Sequence, residues 1–211
     1  MKCYCVETDH EFILCVEEYD EQITANIEAA WFVKNGEKYT KTYPASIENK
    51  DSIKVNFPRL GESLFSGKGD WRKALKIFSK VCSSDDIRWY ITGSISEAVA
   101  GVNVSPHDID IVTHVDDFYK IRDLFLDFMV EPFVDNKGNW VVRYFGRLCI
   151  EGVMFDIVAD EKRNAENHHY DTVIWDAFEL KVEPIAERYK IELQRERMDR
   201  IKAFDNYFDC L

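Results

Sequence analysis

The sequence predicts an α+β protein organised around a mixed β-sheet, and three observations carry that expectation. The first 57 residues are rich in β-branched and aromatic side chains with turn signals between them. Beyond residue 70, strand-like and helix-like stretches follow one another without the regular alternation of a doubly wound sheet. The chain then closes on a long stretch with helical apolar spacing. A length of 211 residues, with 46% hydrophobic and 31% charged side chains, suits one ordinary domain with a real core.

Segments 2–7, 11–18, 22–33 and 37–42 read as strands, with Lys34-Asn35-Gly36 as a hairpin turn; the stretch from Ala25 to Val33 fits a helix as well. The N-terminal β-rich segment therefore spans 1–57. Residues 58–69 lie in PRLGESLFSGKGD, whose Pro, Gly and Ser read as a linker. Asp70 then offers a cap to a helix whose apolar face is Trp71, Leu75, Phe78 and Cys82. Residues 88–92 form a short strand, a helix follows through Ile95, Ala98 and Val99, and 108–113 form the next strand. Asp116 is the expected cap of a helix burying Phe118, Ile121, Leu124, Phe125 and Phe128. Residues 141–145 and 148–159 supply further strands, with Gly146 or Gly152 at a turn or bulge. The core thus runs over 70–165. A C-terminal helical extension, 166–211, contains one long helix over 183–208 that presents Ile185, Tyr189, Leu193, Ile201, Phe204 and Phe208.

The formal net charge of −12 repels nucleic acid at long range, so a nucleic-acid partner is not expected. No apolar run approaches the roughly 18 residues of a membrane span. The opening MKCYCVETDHEF has neither the charged nor the apolar region of a signal peptide. Six cysteines in that context read as free thiols of a cytoplasmic protein. Cys3, Cys5, His10 and Cys15 invite a zinc reading, but their spacing fits no usual paired-ligand pattern, and strand packing is the better account.

The chemistry concentrates in YITGSISEAVAGVNVSPHDIDIVTH, residues 90–114. In the strand His-Asp-Ile-Asp-Ile-Val, Ile109 and Ile111 point one way and Asp108 and Asp110 the other. Two adjacent carboxylates repel, and a cation over them removes the cost. Gly93 and Ser94 stand where a strand passes into a helix; the missing Cβ, the free amides and the Ser94 hydroxyl suit a phosphate. A serine there is equally an ordinary helix cap. Mg²⁺ takes oxygen ligands from one or two carboxylates plus substrate phosphates. Asp156, a lone carboxylate in the apolar run VMFDIV, supplies a third acid and room for a second ion. Asp160 shares its strand face but opens the polar run DEKRN, so Asp156 is the preferred third acid.

These residues, Gly93-Ser94, then Asp108-Ile109-Asp110, then Asp156, resemble the signature of the nucleotidyltransferase superfamily typified by DNA polymerase beta. Within it, GSISEAVAGVNVSPHDIDIVTHVDDF is similar to the small bacterial enzymes that adenylylate lincosamide and aminoglycoside antibiotics. The resemblance spans about residues 70–160. It implies a mixed-sheet nucleotidyltransferase core flanked by helices, with Asp108, Asp110 and Asp156 as catalytic residues and ligands of two Mg²⁺ ions. Gly93 and Ser94 would then bind the nucleotide. It also implies transfer of a nucleoside monophosphate, read as AMP, from a nucleoside triphosphate to a small-molecule hydroxyl, with release of pyrophosphate.

One departure stands out. Many minimal members carry arginines just after the Gly-Ser, whereas residues 95–104 hold no basic side chain. The closing helix, RYKIELQRERMDRIK, is the nearest source of phosphate contacts, and Arg197 is the assigned candidate. The competing account is a solvated face whose bases pair with Glu192, Glu196 and Asp199. His107 either orients Asp108 or simply ends its strand, His168 and His169 read as surface or core-edge residues, and Trp140 and Trp175 read as core. The N-terminal strands fit two roles, closing over the acceptor or forming a homodimer contact. Two other function classes remain beside the enzyme. One is a catalytically silent nucleotide-binding module. The other is a toxin-type transferase acting on protein or RNA.

Overall fold

The computed structural model of the protein describes residues 1–137, 140–163 and 169–210. Its centre is a seven-stranded mixed sheet. In chain order the strands are β5 (Trp89–Thr92), β6 (Asp108–Thr113), β7 (Met129–Asp135), β8 (Tyr144–Ile150), β9 (Val153–Ala159), β10 (Asp171–Trp175) and β11 (Phe178–Val182). Their spatial order is β10-β11-β5-β6-β9-β8-β7. The β11–β5 and β6–β9 pairs are parallel and the others antiparallel. This is the α+β, mixed-sheet class that the sequence predicts.

One face of the sheet is a continuous apolar layer: Ile91, Ile109, Ile111, Leu148, Phe155 and Ile157 are all fully buried. Helices α3 (Trp71–Ser84) and α5 (Phe118–Leu124) cover it. Phe78 of α3 stacks on Phe155 and Phe125 with ring centroids 5.2 and 5.0 Å apart. Asp70 caps α3 as expected, its Oδ1 accepting from the amides of Arg72 and Lys73. The cap before α5 differs from expectation. A short 3₁₀ turn intervenes, and His114, not Asp116, accepts at its start, while the Asp116 carboxylate lies against Arg88.

The N-terminal segment builds a second, four-stranded antiparallel sheet from β1 (Lys2–Glu7), β2 (Glu11–Glu17), β3 (Val33–Asn35) and β4 (Lys38–Pro44), ordered β1-β2-β4-β3. The hairpin turn at Gly36 falls where Lys34-Asn35-Gly36 placed it, whereas residues 24–29 form helix α1 (Thr24–Ala29) rather than a strand. The expected linker is not a linker. Residues 50–66 form one helix, α2 (Lys50–Ser66), with Pro58 inside it and Gly67 in the left-handed conformation just past its end. Its stripe of Ile53, Phe57, Leu64 and Phe65 is buried, and that tertiary burial outweighs the local cost of Pro58. Gly61 faces β1: an added Cβ would lie 2.6 Å from Cys3 Sγ. The 1–57 boundary therefore falls in mid-helix, and the 165/166 boundary falls outside the described residues.

Strand β7 has no counterpart among the expected strands. Pro132 and two register shifts hide it, and both are tolerated because β7 is the edge of the sheet. The expected strands at 141–145 and 148–159 resolve into β8 and β9. They are joined through Glu151 and Gly152, both with positive φ, the backbone of a tight hairpin turn.

The single C-terminal helix is also two: α6 (Ile185–Gln194) and α7 (Met198–Asp209), separated at Glu196, whose φ is 54°. The reason lies in the two apolar stripes. Tyr189 packs on Phe204 and Phe208 at 5.3 and 5.5 Å, and in a straight helix Tyr189 and Phe204 would stand about 22 Å apart at about 1.5 Å per residue. Folding back lets the stripes bury each other. No helix among the described residues is long and apolar enough to cross a membrane.

Asp70→Ala removes the α3 cap and is expected to cost about 1 kcal/mol in urea unfolding, with most of the loss restored by Asp70→Ser. An unchanged midpoint in the alanine variant would show that the cap adds nothing.

Candidate active site

The second face of the sheet carries a line of polar residues, and strand register puts it there. Directly opposed residues on paired strands share a face. Thr92 on β5 opposes Asp110 on β6, and Asp110 opposes Asp156 on β9. Asp156 opposes Arg147 on β8, and Arg147 opposes Glu131 on β7. Asp108 lies on the same face two residues before Asp110. The three predicted carboxylates thus come together.

Arg147 was not anticipated, and it dominates one end of the line. It is fully buried. Its Nε and Nη2 donate to the two oxygens of Asp156 at 2.7 and 3.0 Å, and its Nη1 donates to Glu131 Oε1 at 2.5 Å and to the carbonyl of Ala30 at 3.0 Å. Glu131, also fully buried, accepts from Lys41 Nζ at 2.5 Å and from the Tyr43 hydroxyl at 2.7 Å. Burial works against the Glu131 anion, yet Arg147 and Lys41 together hold its carboxyl below the usual range. Burial lowers Lys41, and Glu131 opposes that shift. The network Asp156–Arg147–Glu131–Lys41 is charge-balanced and joins the N-terminal sheet to the central one. The signal for it was present: Arg147 and Glu131 are lone charges among apolar strand residues, as Asp156 is.

The other end of the line is closed by the C-terminal helices. Thr92 Oγ1 donates to Glu183 at 2.5 Å. Arg188, buried on α6, donates to Glu97 Oε1 at 3.0 and 2.8 Å, to Glu192 at 2.9 Å and to Glu183 at 3.4 Å. Arg200 donates to Glu97 Oε2 at 3.2 Å. Glu97 is a buried acid on α4 (Gly93–Val99). Arg197 sits at the start of α7 and pairs with Glu192. It is part of this network, and the C-terminal charge felt by Asp110 is that of Arg188.

Asp108 and Asp110 differ from everything around them. Among the described residues neither makes an ion pair. Burial first, then the neighbouring carboxylates Asp108 and Asp156, push Asp110 up to about 8, against the pull of Arg188 and Arg147. Burial and Asp156 raise Asp108 likewise. This is a hard-oxygen pair with surplus negative charge, a donor set that fits a divalent cation such as Mg²⁺. Among the described residues, no three His, Cys, Asp or Glu side chains converge as a ready cage, and Asp156 is turned to Arg147. Asp160 lies past the strand and caps local backbone, accepting from the amides of Arg143 and Lys162.

Gly93 has φ +69°, a conformation that disfavours any Cβ, and a Cβ built there would overlap Asp110 Oδ2. The glycine thus makes room for the Asp110 carboxylate. Ser94 follows it, half-buried, in the first turn of α4. His107 is exposed, and its positive charge would favour the Asp108 anion. His169 is exposed, and His168 lies outside the described residues. Trp175 packs in the core against Trp71, whereas Trp140 is 38% exposed.

Cavities lie on both sides of the line. One of about 590 Å³ is lined by Tyr90, Thr92 and Val112 of the sheet and by Glu183, Ile191 and Arg195. On the opposite side, about 200 Å³ is enclosed by Trp31, Lys41, Tyr43, Trp140 and Phe145. It adjoins a larger cavity, about 880 Å³ between the N-terminal sheet, β7 and α5, which none of the three aspartates lines.

No protein-family model and no curated protein matches the chain. Among solved structures, the chain is similar to a Thermotoga maritima protein described as a "putative nucleotidyltransferase", with a TM-score of 0.52 and 22% identity. The match covers 67% of this chain and 94% of that one. The likeness is one of fold.

Two outcomes follow for the site. Glu131→Ala strands buried Lys41 and leaves Arg147 half-paired, so urea unfolding should show a loss of about 3 kcal/mol or more. Asp110→Asn removes a carboxylate whose ionisation opposes folding between its unfolded pKa of about 4 and its folded value of about 8. Through this group, wild-type stability falls as pH rises across that window. The variant's unfolding midpoint should therefore exceed the wild type's by a margin that grows with pH; a constant margin would refute the assignment.

Proposed function

We propose that the protein is a metal-dependent nucleotidyltransferase, moving a nucleoside monophosphate, in our reading AMP, from a nucleoside triphosphate to a hydroxyl of a small molecule. The observation that carries this reading is the pair Asp108 and Asp110: two unneutralised carboxylates side by side, facing the Gly93-Ser94 turn, in a sheet of nucleotidyltransferase-like fold.

Asp108 and Asp110 hold Mg²⁺, which when bound offsets the charge of the triphosphate. Ser94 and the amides after Gly93 contact the phosphates, and the cavity beside Thr92 receives the nucleoside. The missing arginines after Gly-Ser are not made good by Arg197, which is held by Glu192; Arg195, lining that cavity, is the better placed base. The acceptor enters from the side of the N-terminal sheet. Its hydroxyl oxygen forms a bond to the α-phosphorus, the bond from that phosphorus to the oxygen bridging the β-phosphate breaks, and pyrophosphate leaves. The hydroxyl proton passes to Asp156. Arg147 occupies one lone pair on each of its oxygens and leaves others free to accept.

One observation favours a second reading, a module that binds nucleotide without transferring it: the acid nearest the acceptor side is neutralised by Arg147. The two are separated by incubating the protein and Mg²⁺ with each labelled nucleoside triphosphate in turn. Hydroxyl-bearing small molecules, antibiotics among them, and cell extract are then offered as acceptors. Pyrophosphate release with label transfer supports the enzyme, and tight nucleotide binding without release from any acceptor supports the module. Asp108→Asn and Asp110→Asn should each abolish transfer while the apo fold holds. Near-normal turnover in either variant would remove the metal role.

A further inference from the structure

Along the polar line, Arg147 brings a positive charge that cannot be removed by deprotonation, and it is spent on Asp156 and Glu131. Glu131 also pairs with Lys41. Asp108 and Asp110 are the acids of the line with no ion-pair partner among the described residues.

Geometry bears directly on a second ion. On Asp156 it would take the lone pairs that Arg147 leaves free and so sit beside the guanidinium, against like-charge repulsion. That guanidinium engages both oxygens, at 2.7 and 3.0 Å, and has no solvent exposure. Arg147 has no room to follow. Its Nη1 is fixed by Glu131 and by the carbonyl of Ala30, and its carbon centre lies 5.1 and 5.2 Å from the rings of Trp31 and Phe145. Freeing Asp156 would leave a guanidinium without solvent exposure short of two charge-assisted hydrogen bonds, a steep penalty.

We infer that this site holds a single divalent cation, on Asp108 and Asp110, and that the Arg147 guanidinium takes the place of a second ion beside Asp156. The inference rests on the reading of Asp108 and Asp110 as a cation site. It departs from the sequence-based expectation of two Mg²⁺ ions. Arg147 is then a positioning residue: it fixes Asp156 in one orientation and supplies a permanent positive charge on the acceptor side of the line.

The test counts ions on the 211-residue chain. Mn²⁺ binding is followed by electron paramagnetic resonance of the free ion, in the presence of a saturating ATP analogue with a methylene group between the α- and β-phosphorus. One Mn²⁺ per ternary complex is expected, and two would overturn the inference. Asp156→Asn should leave both the count and the Mn²⁺ affinity within about twofold of wild type, whereas loss of an ion would make Asp156 a ligand after all. Arg147→Met frees Asp156 while Lys41 and Tyr43 still meet Glu131, and the count should rise to two. A folded variant that still binds one ion would show that Arg147 is not what excludes the second. If the variant does not fold, the wild-type and Asp156→Asn counts decide. Binding of no ion beyond that carried by the free analogue, with Asp108→Asn and Asp110→Asn without effect, would instead sink the underlying cation reading and this inference with it.

Discussion

The buried guanidinium of Arg147 is the constraint on which the rest of this structure depends. A buried charge survives only if it is paired and its hydrogen bonds are met. Three elements meet those of Arg147, which sits on β8: β9 through Asp156, β7 through Glu131, and the end of α1 through Ala30. Lys41 and Tyr43 of β4 then bind the far side of Glu131. The N-terminal sheet is thereby fixed to the strand that carries the third carboxylate.

The two ends of the polar line are finished differently. On the β7 side the charges are in balance, so the environment there is neutral overall and apolar at its rim, with Trp31, Trp140 and Phe145 packed edge to face. On the β5 side, Glu97, Glu183 and Glu192 meet Arg188, Arg197 and Arg200. Between them lie Asp108 and Asp110, with which no cation among the described residues pairs directly. Under the proposed function, that pair is where the divalent cation is held.

Gly93 ties the backbone to that electrostatic arrangement. The sequence suggests a glycine there for the sake of phosphate. In the structure its lack of a Cβ already serves Asp110, whose carboxylate occupies the space a side chain would need. Both uses draw on one property, and the closeness of turn and carboxylate places any phosphate at that turn beside a cation on Asp110.

By itself the sequence determined the elements whose signals are local. Alternation put Asp108 and Asp110 on one strand face and Ile109 and Ile111 on the other. Asp70 announced α3, Gly36 its hairpin, and the apolar run around Asp156 its strand. Tertiary structure decided whatever depends on which residues meet across the chain. Pro58 and Gly61 look like a linker until α2 has strands to pack against, and Pro132 hides a strand that only a sheet edge tolerates. Nothing local breaks the C-terminal helix at Glu196; Tyr189 meeting Phe204 and Phe208 does. The same holds at the site. Asp156 was legible as a lone acid, but that its partner is Arg147 follows from the register between β8 and β9. Register is set by packing over the whole sheet, and no stretch of either strand encodes it alone.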